Sequence, residues 1–228
     1  MKNSDTAIII PVFNEAKVIR GVIDSIMKEF AVVICIDDGS TDDSAKEIAK
    51  TGAFLLRHPI NMGQGAALQT GLEFALQLDS ANYLVTFDAD GQHRVQDVLT
   101  MLREIKNYKV DIVLGSRFLG ETQNIRKLKK ALLKAAVMFT NTSSGLNLTD
   151  THNGLRVMTR QAASKMSLKM SDYTHASEII ERISQEKLSY MEVPVTIVYT
   201  DYSKSKGQSM INAINIAFDM IIQRMTGR

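Results

Sequence analysis

From residue 7 onward the chain alternates between two hydrophobic patterns. Short apolar runs rich in β-branched residues read as buried strands, and apolar positions three and four apart read as helices packed by one face. Ala7 to Ile10 is the first strand, halted by Pro11. Val18, Ile19, Val22, Ile23, Ile26 and Met27 mark a helix over residues 15–30. Strands over 31–36, 53–56, 83–87 and 111–114 alternate with helices over 41–50, 66–78 and 96–107. Thr41-Asp42-Asp43 supplies side-chain oxygens for an N-cap. After Arg117 the alternation breaks. A basic amphipathic segment over 126–134 comes next, then Asp150 to Arg156 leading into a strand, a helix over 176–186, a strand over 193–199 and a terminal helix over 211–225.

Strand–helix alternation predicts an α/β fold, a Rossmann-like, mostly parallel sheet with helices on both faces. No stretch reads as a linker, so residues 1–228 are expected to form one domain. Its halves meet near residue 118, the second ending in the terminal helix. Open sheets of this type bind ligands at the carboxyl ends of their strands. Polar clusters fall at those ends: Asn14 and Glu15, Asp37 and Asp38, Asp88 and Asp90, Ser116 and Arg117.

Composition narrows the setting. A net charge of +2 gives no ground for a nucleic-acid partner. The lone Cys35 lies inside the run Val32-Val33-Ile34-Cys35-Ile36 and reads as a buried small hydrophobe. The N-terminus enters a strand at once, with no signal peptide expected, and no apolar stretch is long enough to span a bilayer. A reducing, cytoplasmic setting is the expectation. The Asn-x-Ser/Thr triplets at Asn141 and Asn147 read as chance.

The most telling residues are Asp88-Ala89-Asp90, directly after the apolar Tyr83-Leu84-Val85. Two carboxylates at the exposed end of a strand suit a hard cation, Mg²⁺ or Mn²⁺, that also grips a diphosphate; a solvated turn is the competing reading. Gly63 and Gly65 allow close backbone approach. They form neither a P-loop, since no Gly-Lys-Ser/Thr follows, nor a dinucleotide fingerprint. Arg117 offers a fixed fork suited to phosphate.

Together these pieces resemble the family 2 glycosyltransferases with the GT-A fold, and within them the dolichyl-phosphate mannose synthase and polyprenyl-phosphate glycosyltransferase branch. The carriers are Ile9 to Glu15, Ile36 to Asp42, Asn61-Met62-Gly63-Gln64-Gly65, Phe87 to His93, Gly115-Ser116-Arg117-Phe118 and Asp150 to Arg156. The resemblance implies an inverting transfer from a UDP- or GDP-sugar. It assigns Pro11, Phe13, Glu15, Asp37, Asp38, Gly63, Asp88, Ala89, Asp90 and Lys206 to the nucleotide-sugar, and Asp88, Asp90 and Gln92 to the metal. His93 is either a supporting hydrogen-bond partner or a substrate contact. Arg117, Arg156 and Lys130 fall to the acceptor, although Arg156 reads equally well as a partner of Asp150. Asp150 and Glu178 are the bases to test if the acceptor is a hydroxyl; an ionised acceptor phosphate needs none. The family's Glu-Asp base dipeptide is absent, and Asp150-Thr151-His152-Asn153-Gly154-Leu155-Arg156 departs from the branch's usual Thr/Ser-Gly-Phe-Arg.

The resulting expectation is a metal-dependent glycosyltransferase acting on polyprenyl phosphate or another lipid-linked acceptor in cell-surface glycan synthesis. Lys127, Lys129, Lys130 and Lys134 beside Leu128, Leu132 and Leu133 suggest a peripheral contact with a membrane surface or membrane partner. Two other readings stay open: transfer to a sugar hydroxyl in polysaccharide assembly, and an inactive nucleotide-sugar-binding subunit of a membrane complex.

Overall fold

The structure, a computed structural model, describes residues 2–119, 137–138, 140–169 and 175–198. Seven strands form one sheet: β1 (Asn3–Val12), β2 (Phe30–Asp38), β3 (Phe54–His58), β4 (Tyr83–Thr86), β5 (Ile112–Ser116), β6 (Arg156–Thr159) and β7 (Tyr190–Pro194), in the spatial order β3-β2-β1-β4-β6-β5-β7. Every pairing is parallel except those of β6, which runs antiparallel to both β4 and β5. The helices include α1 (Ile19–Ile26), α2 (Ser44–Ala49), α3 (Gln64–Leu76), α4 (Val95–Tyr108), α5 (Arg160–Lys165) and α6 (His175–Gln185).

Alternation along the strands sorts the core into two layers. Ile8, Ile10 and Val12 of β1, with Val33 and Cys35 of β2, meet α1 and α4 on one face. Ala7, Ile9, Ile34 and Ile36 meet α3, α5 and α6 on the other. Cys35 is buried as expected, and desolvation pushes its thiol up to about 12. Among the described residues no helix is long and apolar enough to cross a membrane.

Several boundaries differ from the pattern reading. β1 continues through Pro11, which pairs with Ile36. Phe87 donates its N–H to the Ile9 carbonyl, so Pro11, two residues on, turns its missing N–H toward the same neighbour after β4 has ended. α1 is shorter than residues 15–30, because 15–18 turn and Phe30 already begins β2. β7 lies earlier than the apolar run at 193–199. Val195 and Ile197 are buried beyond the strand, where Val195 donates to the Ser116 carbonyl and Val198 to that of Gln92. Val195 and Ile197 are apolar because they are covered, not because they are paired. The short α5, capped by Thr159 accepting from Ala162, was not legible in the pattern. The expected terminal helix at 211–225 and the basic segment at 126–134 lie outside the described residues.

Helix α3 carries a site loop at its start, and its end is tied down. The Arg160 guanidinium donates to the carbonyls of Leu78 (2.9 Å), Ala81 (3.1 Å) and Leu76. Midway, Gly71 lets α3 lie against the sheet: an added Cβ would overlap Ile9 Cγ2 and approach Ile36 Cδ1 to 2.7 Å. Alanine gains about 1 kcal/mol of helix propensity but overpacks this contact by about 1–3 kcal/mol. Gly71→Ala is therefore expected to lower stability by up to about 2 kcal/mol, read as a fall in the urea midpoint at constant slope.

Candidate active site

The strands β1, β2 and β4 end together, and their following loops are tied to one another. Asn14, at φ 54°, donates its N–H to Ser40 Oγ (2.9 Å) and accepts the Thr41 N–H on Oδ1 (2.9 Å). Asparagine tolerates that left-handed conformation better than most residues. Glu15 N–H donates to Ser44 Oγ at 2.8 Å. Beside this corner Phe13, Ile60 and Met62 expose apolar surface. Gly39, at φ +68°, passes so close to the 60–61 backbone that a Cβ would lie 2.5 Å from Asn61 N.

Asp37 and Asp38 are the last residues of β2 and are buried. Asp37 accepts the Ser40 N–H (3.1 Å) and the Arg57 Nε–H (3.0 Å). Asp38 accepts from Met62 N (2.9 Å) and Gly63 N (2.8 Å), and its Oδ1 lies 2.7 Å from His58 Nδ1. His58 Nε2 reaches Thr70 on α3 at 3.0 Å. Both carboxylates thus tie down the chain at the end of β2, with Asp38 fixing the loop that carries Gly63.

Asp88 stands just past β4. Its Oδ2 lies 2.8 Å from His93 Nε2, and Gln64 Nε2 donates to Oδ1 at 3.3 Å. Phe87 meets the His93 ring edge-on at 5.4 Å between centroids. Gly154 lies against the carboxylate so closely that a Cβ would come within 2.6 Å of Asp88 Cγ. Burial pushes the Asp88 carboxyl up, yet His93, Arg156 and His175 outweigh it and hold the group below its usual value. Asp90 behaves oppositely: burial, Asp88 and Glu15 raise it against the pull of the Gln92 N–H. Gln92 donates both its N–H (3.0 Å) and its amide (2.7 Å) to Asp90.

No group of three or more His, Cys, Asp or Glu side chains among the described residues forms a ready-made metal cage. A cation that completes its sphere with substrate phosphates and water needs only one or two carboxylates. Crowded negative charge at Asp90 is what such a cation relieves, so Asp88 and Asp90 fit it. Gln92 stands beside them, bonded to Asp90.

Across the sheet, Arg117 forks onto Asp150 through Nε–Oδ2 and Nη2–Oδ1, both 2.7 Å, and the Arg117 N–H adds a third bond at 3.0 Å. Burial raises the Asp150 carboxyl, and Arg117 more than reverses it. The sequence offered Asp150 only Arg156 as a partner; Arg117, expected to face the acceptor, takes the fork instead. The Glu192 carboxylate accepts from Thr149 N (2.8 Å), Thr149 Oγ1 (3.0 Å) and Asp150 N (3.0 Å), anchoring the Asp150 turn. Glu178 accepts the Lys169 N–H at 2.9 and 3.0 Å. Lys130 and Lys206 lie outside the described residues. Arg57, His58, Gln64 and Glu192 carry no motif of their own; only Gln64, inside the glycine loop, had a neighbourhood that pointed to it.

Comparison with known proteins agrees with this geometry. The description "Glycosyl transferase family 2" fits residues 7–167. An uncharacterised protein of Methanocaldococcus jannaschii is 34% identical over 96% of this chain and 91% of its own length. The UDP-N-acetylglucosamine–dolichyl-phosphate N-acetylglucosaminyltransferase of Methanococcus voltae is 30% identical over 96% of this chain and 95% of its own. Among solved structures, glucosyl-3-phosphoglycerate synthase from Mycobacterium tuberculosis, in complex with Mn²⁺ and UDP-glucose, superposes with a TM-score of 0.72. It is 17% identical, over 97% of this chain and 78% of that one, and shares the GT-A fold.

His152 gives the site a pH signature. Burial lowers its imidazole from 6.5 to about 4, helped by Arg117, Arg156 and His175 against the opposing pull of Asp150. Below pH 6.5 the unfolded chain takes up a proton that the folded chain refuses down to about 4. Stability should therefore fall as pH drops through that window, by up to about 3 kcal/mol. The lowered carboxyls of Asp88 and Asp150 act only below the usual carboxylate value of 3.8. His152→Gln is expected to flatten the 6.5-to-4 limb in urea unfolding followed across pH, while leaving the steeper acid limb in place.

Proposed function

The chain belongs to glycosyl transferase family 2, and from that premise we propose that it transfers a sugar from a UDP-sugar to a polyprenyl phosphate, with inversion at the anomeric carbon. The observation that carries this reading is the Asp88-Ala89-Asp90 turn standing at the same sheet edge as the Arg117–Asp150 fork. The dolichyl-phosphate acceptor and UDP donor named for the 30%-identical relative support both substrates.

In this scheme the nucleobase lies against the exposed Phe13, Ile60 and Met62, beside the loops that Asp37 and Asp38 tie down. Asp88 and Asp90 hold Mg²⁺ or Mn²⁺, which when bound neutralises charge on the leaving diphosphate. The Arg117 guanidinium presents positive charge to the incoming acceptor phosphate. A phosphate oxygen attacks the anomeric carbon, the bond to the diphosphate breaks, and UDP leaves. No protein base is needed, since the acceptor is already ionised. That accords with the two carboxylates considered for the role. Asp150 is held by Arg117 with its carboxyl lowered, and Glu178 accepts a backbone N–H of Lys169. Work on a lipid-borne phosphate places the protein at a membrane surface.

Turnover of UDP-sugars should depend on Mg²⁺ or Mn²⁺ and rise when a short polyprenyl phosphate is added. UDP release indifferent to the lipid would replace the acceptor with a hydroxyl, and no release from any donor would sink the proposal. Asp90→Asn is expected to cut turnover at least a hundredfold, the usual order for loss of an electrostatic group at a transition state. Arg117→Ala should raise the KM for polyprenyl phosphate far more than that for the donor.

A further inference from the structure

Among the described residues three buried side-chain atoms lack a hydrogen-bond partner: His93 Nδ1, Asn153 Nδ2 and Arg156 Nη1. Native proteins pair the great majority of such atoms, and an unpaired one costs about 1–3 kcal/mol. These three are not scattered. His93 is bonded to Asp88, Arg156 acts on Asp88 electrostatically, and Asn153 adjoins Gly154, which lies against the Asp88 carboxylate. Asn153 is 5% and Arg156 2% exposed, whereas the Asp88 side chain is 31% exposed. The three residues are thus grouped around Asp88, a buried wall beside its partly exposed carboxylate.

The Asn153 amide is oriented by its other end. Its Oδ1 accepts the Leu155 N–H at 2.9 Å, which leaves Nδ2 as a fixed donor directed elsewhere. Thr86 Oγ1 donates to the Gly154 carbonyl at 2.6 Å and pins the same turn to β4. A fixed donor requires an oxygen acceptor. The charge on Arg156 is already matched by Asp88 and Asp150, so there is no local positive excess to receive another anion. A neutral hydroxyl or carbonyl oxygen fits this wall. The cation and diphosphate belong on the Asp90 side, where negative charge accumulates.

We propose that Asn153 is a specificity-determining residue that reads the sugar being transferred, its Nδ2 donating to a hydroxyl or acetamido oxygen beside Asp88. This rests on the glycosyltransferase reading and deepens it. Sites that hydrogen-bond a substrate oxygen discriminate more sharply than apolar ones, because a missing partner leaves a buried donor bare.

Calorimetric titration of the full chain in Mn²⁺ with UDP, UDP-glucose and UDP-N-acetylglucosamine tests the assignment without relying on turnover. Asn153→Ala removes the amide. Asn153→Asp keeps an oxygen for the Leu155 N–H, and so the turn, but removes the donor. In both variants the affinity for the preferred UDP-sugar, divided by that for UDP, should fall about fivefold to tenfold from wild type. UDP binding itself should hold in the alanine variant. An unchanged ratio in the folded variants would overturn the proposal. So would an equal loss for UDP and UDP-sugar, because Asn153 would then be reading the nucleotide. Wild-type chain that binds no UDP or UDP-sugar would overturn the glycosyltransferase reading, and this inference with it.

Discussion

Burying a guanidinium costs several kcal/mol unless its charge is answered nearby, and Arg156, at 2% exposure, is such a group. Desolvation depresses it to about 10, while Asp88 and Asp150 pull the other way. Asp88 is in turn steadied by His93, and Asp150 by Arg117. Charges therefore alternate from Arg117 through Asp150 and Arg156 to Asp88, where the His93 hydrogen bond ends the series. Removing an interior member takes a counter-charge from the neighbours on both sides, which is the more damaging way to break such a series.

The backbone explains how Arg156 comes to stand there. In parallel strands the last residues reach the ligand edge; in β6, which runs the other way, the first residue does. Arg156 opens β6 opposite Thr86 of β4 and Leu114 of β5. The single reversed strand thus carries a cation between two parallel neighbours that end in acidic and basic groups. It also separates two electrostatic regions. Around Asp88 the charge is balanced and hydrogen-bonding capacity is left over, whereas around Asp90 negative charge is in excess.

Much of this was legible in the residues, for physical reasons that differ from place to place. Strand–helix alternation is a local property, so the layers and the polar edge followed from pattern. Asp88 and Asp90 were conspicuous because their strand is apolar and ends abruptly. Pairings between distant residues were not legible. Asp37 finds Arg57 and Asp38 finds His58 because β2 and β3 run in register, a fact of sheet topology. Asp150 had only Arg156 as a partner on sequence grounds, and its fork with Arg117 joins residues thirty-three apart that no local pattern links. Pro11 misled because a missing N–H matters only where a neighbour would have accepted it. The 193–199 run misled because burial and strand pairing leave the same apolar mark.

The fork between Arg117 and Asp150, reinforced by Ser116 Oγ 2.6 Å from Thr149 Oγ1, also acts as a clasp. It brings the two ends of the intervening chain together at the rim of the sheet, whatever that chain contains. Closing a loop grows costlier only slowly with length, by about 0.6 kcal/mol for each doubling. The connection between β5 and β6 can therefore lengthen, shorten or change composition while the edge formed by β1, β2 and β4 stays as it is. A scaffold with such a clasp lends itself to cassette exchange: the stretch between two pinned ends could be replaced with the sheet edge left intact.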